Sequence, residues 1–122
     1  MNFEWYNPKK ITLKVSISGH GITFYNDVAE TMGSPEHIIL GFNETNKVIA
    51  VKCCDKPEED SLGFISKKRN NSYVRISDKN FIRFIQSRLS EDFDTSRKTK
   101  VFLSEWDEQA KTLYIFLQKH LA

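Results

Sequence analysis

Ile11, Leu13, Val15 and Ile17 alternate with Thr12, Lys14, Ser16 and Ser18. Successive side chains of a strand point to opposite faces, so this period of two specifies a strand with one buried face. Gly19-His20-Gly21 follows as a turn, because glycine takes up turn conformations without steric cost. Ile22-Thr23-Phe24 then returns as a second strand.

The remaining punctuation divides the chain into similar pieces. Asn26 or Asp27 is placed to cap a short helix containing Val28, Ala29 and Met32, which Gly33 stops and Pro35 keeps from resuming. His37 to Phe42 and Val48 to Val51 are apolar and β-prone around the polar turn Asn43 to Lys47, the pattern of a hairpin. A polar link covers 55–61, followed by short apolar Leu62 to Ile65 and a basic turn from Lys67 to Ser72. Tyr73 to Ile76 reads as a strand, and Ser77 or Asp78 as the cap of a helix over about 79–90. Phe81, Ile82, Phe84, Ile85 and Leu89 share one face of that helix. Arg88 falls inside the apolar arc, so its stem is expected to pack while its head reaches water or a carboxylate. Lys100 to Trp106 and Thr112 to Leu117 form a closing hairpin. The aromatic start, Phe3, Trp5 and Tyr6, is expected to dock on the core.

Strand, helix, hairpin thus occurs twice, over 22–54 and over 73–118. The expected fold is α+β: two tandem βαββ units related by a pseudo-twofold, with antiparallel sheets sharing one core. Unit one covers 11–54, the link 55–61 and unit two 62–118, within a single domain over 1–122. The length of 122 residues and the 39% apolar content fit one core without disulfide staples. No apolar run approaches the length that crosses a bilayer, and no secretory signal is visible. Two adjacent cysteines, Cys53 and Cys54, are poorly placed to bridge each other. A cytoplasmic protein without membrane contact is expected.

Catalytic and metal patterns are weak. His20, His37 and His120 are scattered, and Cys53-Cys54 has no partner pair at zinc spacing. No G-x-S-x-G elbow occurs, and Gly19-His20-Gly21 leads into a strand, so no helix start waits for a phosphate. Cys54 has Lys52 and Lys56 near it in sequence, which can activate a thiol, but a buried cysteine is the simpler reading. No cofactor and no catalytic role are expected.

Charge is more informative. Residues 1–61 carry six Lys and nine acidic residues, whereas 62–122 carry twelve Lys and Arg and seven acidic residues. The candidate contact residues are Lys67, Lys68 and Arg69 in a turn, Arg75 on a strand, Lys79 and Arg83 on the outer helix face, and Arg97, Lys98 and Lys100 leading into a strand. Such a set can neutralise phosphates or form forks to carboxylates. The partner classes left open are a protein or nucleoprotein complex, DNA or RNA, and a second copy of the chain. An ordinary solvated face is the competing reading. No aromatic platform for single strands is evident in the sequence.

Two resemblances bear on function. The strand, Gly19-His20-Gly21 turn, Ile22-Thr23-Phe24 strand, helix ending at Met32-Gly33 and hairpin ending at Val48 to Val51 resemble AbrB/SpoVT swapped-hairpin modules. That resemblance implies a dimeric DNA-binding transcriptional regulator. It departs from the family where Phe24-Tyr25 replaces the usual proline and where only Lys9, Lys10 and Lys14 are available as an N-terminal arm. The whole chain, through Gly21-Ile22-Thr23-Phe24, Gly33-Ser34-Pro35-Glu36, Asn46 to Lys52 and Val74-Arg75-Ile76, resembles small proteins of phages and mobile elements of low-GC Gram-positive bacteria. Some of these are anti-CRISPR inhibitors, which implies a binding protein that occludes a type II Cas nuclease or its guide-RNA complex.

Overall fold

The computed structural model describes residues 1–3, 5, 12–54, 60–64, 73–89 and 99–121. The chain order is β1 (Thr12–Ser18), β2 (Gly21–Tyr25), α1 (Asn26–Thr31), β3 (His37–Asn43), β4 (Val48–Cys54), β5 (Leu62–Gly63), β6 (Tyr73–Ile76), α2 (Lys79–Gln86), β7 (Lys100–Asp107) and β8 (Thr112–Leu121). All eight strands belong to one sheet, in the order β5-β3-β4-β8-β7-β1-β2-β6, and every pairing is antiparallel. The α+β class holds, but the several sheets expected from the sequence are a single one. The two hairpins meet edge to edge through β4 and β8, and β1 pairs with β7, so the ladder never divides.

The alternation in β1 does what its period requires. Leu13, Val15 and Ile17 are buried and face Ser104, Phe102 and Lys100 of β7 in register. Ile22, Phe24, Ile49, Val51, Phe102, Leu113 and Ile115 complete the inner face. Ser104 is the one hydroxyl among them; its Oγ donates to the Leu13 carbonyl at 3.0 Å, which removes the penalty of an unpaired buried group.

The sheet curls until its ends approach each other. Phe64, just beyond β5, packs on Phe24 of β2 with ring centroids 5.0 Å apart and the planes tilted by 59°. Its amide donates to the Glu36 carbonyl at 2.8 Å, which extends the β3–β5 pairing. Helix α2 spans the same gap: Ile82 and Ile85 enter the core, and Phe84 meets Phe42 of β3 edge to face. The product is a near-barrel. Gly21 sits so close to β6 that a Cβ there would lie 1.9 Å from the Ile76 carbonyl oxygen, which explains a glycine at this strand end.

Several local expectations are corrected. Tyr25, not Asn26 or Asp27, holds the N-cap position of α1 and makes no side-chain cap, because β2 runs straight into the helix. Gly33, with φ of +80°, ends that helix as expected. Asp78 caps α2, its Oδ1 accepting from the Phe81 amide at 2.9 Å. The helix closes at Gln86 and not at 90, because Arg88 and Leu89 donate to Ile85 and Gln86 in tighter i→i−3 bonds. Phe3 and Trp5 do not dock: they are 62% and 83% exposed and touch each other. Residues 55–59 of the link, Ile65, the basic turn at 67–72 and the segment 90–98 lie outside the described residues. No helix among the described residues is long and apolar enough to cross a membrane.

Candidate functional site

Of the nine basic residues singled out in the sequence, Lys67, Lys68, Arg69, Arg97 and Lys98 lie outside the described residues. Arg75 stands on the outer face of β6, exposed and opposite Thr23. Lys79 opens α2 and Arg83 follows one turn later, both exposed. The three therefore follow one another along a continuous β6–α2 segment. Asp78, between them, spends a carboxylate oxygen on the helix cap. Lys100 falls elsewhere: it is half-buried and opposite Ile17, on the inward side of β7. Arg88, just beyond α2, is exposed, as expected. Its guanidinium lies 3.8 Å over the Phe84 ring and donates to the Phe84 carbonyl at 3.1 Å, a cation–π contact that anchors it to the helix end.

The outer sheet face carries groups that the sequence alone did not assemble. Tyr25 and Tyr73 are register partners on β2 and β6, and both rings are exposed. The Tyr25 hydroxyl is hydrogen-bonded to Ser16 Oγ at 2.7 Å, so the ring crosses the surface from β2 to β1. This explains why Ser16, which points outward, is only 4% exposed. Farther along the same face, Val48, Ala50, Tyr114 and Phe116 floor an open groove of about 520 Å³ rimmed by Asn43 and Asn46. A second groove of about 470 Å³ runs between α2 and β3, lined by Leu40, Phe42, Asp78 and Phe84. The signal for the tyrosine pair was present as parity: Phe24 and Val74 point inward, so their neighbours point outward. The β2–β6 pairing that joins them is not local and leaves no trace in sequence periodicity.

Cys54 is buried, with its sulfur 3.9 Å from the Lys52 carbonyl oxygen, and Cys53 directs its sulfur to the Met32 carbonyl at 3.8 Å. His37 is the register partner of Cys54. Among the described residues no three His, Cys, Asp or Glu side chains are grouped to hold a metal ion.

Three comparisons with known proteins returned no match: family models, curated sequences and solved structures.

Proposed function

We propose that the chain is a non-catalytic binding protein that occludes a nucleic-acid-handling partner. The partner class is the one implied by the mobile-element resemblance, a type II Cas nuclease or its guide-RNA complex. The observation that supports this most is the exposed run of Arg75, Lys79 and Arg83 on β6 and α2. Exposed cations at the rim of an interface steer association and discriminate partners more than they add raw affinity. They suit both the carboxylates of a protein surface and the phosphates of a bound guide.

The test is a DNA-cleavage assay with type II effector complexes, with and without this chain, beside a pull-down of effector protein alone and of the guide-RNA complex. Inhibition with co-precipitation is expected. Reversing three charges together, Arg75→Glu, Lys79→Glu and Arg83→Glu, is expected to weaken inhibition by about tenfold or more, because several phosphate or carboxylate contacts are lost at once. Absence of both binding and inhibition rejects the reading.

The two-unit architecture belongs to the same proposal. The βαββ units covering 11–54 and 62–118 are read as related by a pseudo-twofold. Three observations support this. The β3–β4 and β7–β8 hairpins share one turn geometry: Asn43 and Asp107 each accept turn amides, and Lys47 and Lys111 each close the turn in the left-handed region. The spacing that carries Asn43 to Asp107 also carries Ala50 to Tyr114, and Ala50 pairs with Tyr114 in the β4–β8 ladder. Finally, the opening strands β2 and β6 pair antiparallel with each other, as elements around a twofold do.

A further inference from the structure

We infer that the outer face of β1, β2 and β6 is a contact surface for single-stranded nucleic acid. Tyr25 and Tyr73 are its stacking platforms, and Lys14 and Arg75 are its phosphate partners. The inference does not depend on the occlusion reading, since it concerns what the isolated chain binds.

Four observations converge on it. Tyr25 and Tyr73 are 41% and 43% exposed, on a sheet whose inward side chains along these strands are fully buried. They are direct cross-strand partners, so their Cβ atoms are about 5 Å apart. The Ser16–Tyr25 hydrogen bond holds the Tyr25 ring along the sheet, so little side-chain freedom remains to be lost on binding. Cations flank the pair. Arg75 is the next outward position along β6 after Tyr73, and continuing the β1–β2 register one step beyond Val15–Phe24 brings exposed Lys14 opposite Tyr25.

Charge selects the occupant. The outward row Val101, Ser16, Thr23 and Arg75, and the row Val48, Phe116, Leu103 and Lys14 that leads to Tyr25 and Tyr73, contain two cations and no carboxylate. Glu105 stands in the next outward row, opposite Thr12 and Tyr114; within the two rows named, aromatic faces beside cations match an unstacked base attached to a phosphate. A duplex hides its base faces in its own stack, so it would gain only the charge contribution. DNA and RNA single strands share the required chemistry.

The test is fluorescence anisotropy with a labelled oligothymidylate, a labelled oligouridylate and a labelled duplex of the same length. Either single strand should bind more tightly than the duplex, with affinity falling as salt rises from about 50 to 200 mM; whichever single strand binds better identifies the natural source. Tyr73→Ala should weaken single-strand binding about tenfold, while Tyr73→Phe retains it. Arg75→Gln should weaken it and reduce the salt slope by about one. Phe84→Ala, which removes an equally exposed ring on α2, should leave it unchanged. Unaltered melting temperatures establish that the variants are folded. The inference is overturned by no single-strand binding at low salt, by equal affinity for the duplex, or by full affinity in folded Tyr73→Ala. Effector inhibition is read separately, so either proposal can fail alone.

Discussion

At the turn between β7 and β8 one residue reports on its surroundings. Glu108 accepts from Trp106 Nε1 at 2.6 Å and is salt-bridged to Lys111. The Lys111 hydrogen bond, the Trp106 hydrogen bond and the Lys111 charge hold its carboxyl below the ordinary glutamate range. A carboxyl depressed in the folded chain stabilises the fold above its unfolded value, and that contribution is lost as pH falls through the folded value. The effect is small because the group is exposed. Its signature is optical: in a Trp5→Phe background, Trp106 emission should change only in acid below the usual carboxylate range. The Glu108→Gln variant should lack that change. An identical acid transition in both proteins would show that Glu108 is not the titrating group.

At the scale of elements, α2 shows how local signals and packing combine. It is short, so its formation leans on its cap and on Ile82 and Ile85 in the core. Asp78→Ala removes the acceptor for the Phe81 amide and should cost about 1 kcal/mol in chemical denaturation. Asp78→Asn should restore most of it, because asparagine caps nearly as well. The apolar face of this helix was legible in the sequence, since helical spacing alone assembles it. Its end was not. Ser87 Oγ and Arg88 Nη1 both bond to the Phe84 carbonyl, and the last turn tightens around that shared acceptor. The start of α1 was misread for a related reason: pairing with Tyr73 carries β2 through Tyr25, leaving no room for a capping residue between strand and helix.

Across the molecule, the Phe24–Phe64 contact joins one end of the strand order to the other. Both rings are buried, at 0% and 3% exposure, so truncating either should be severe. Phe24→Ala and Phe64→Ala should each cost about 3–5 kcal/mol. The double variant should cost less than their sum, by about 0.5–1.5 kcal/mol for the lost ring pair. Strict additivity in urea unfolding would mean that the sheet ends are stabilised independently. At this scale the basic candidates also separate: Arg75, Lys79 and Arg83 stay on one exposed segment, while Lys100 turns to the inward side of β7.

Strand alternation, turn chemistry and helical spacing are carried by residues within one or two turns of each other. The hairpins, the two helices and the inward set Leu13, Val15 and Ile17 could therefore be read before any coordinates. The joining of β1 to β7, β2 to β6 and β4 to β8 depends on contacts between residues far apart in the chain, decided by how whole apolar faces fit around one core. That choice merged the expected sheets into one. It also set Tyr25 beside Tyr73, creating an outer surface that neither strand encodes alone.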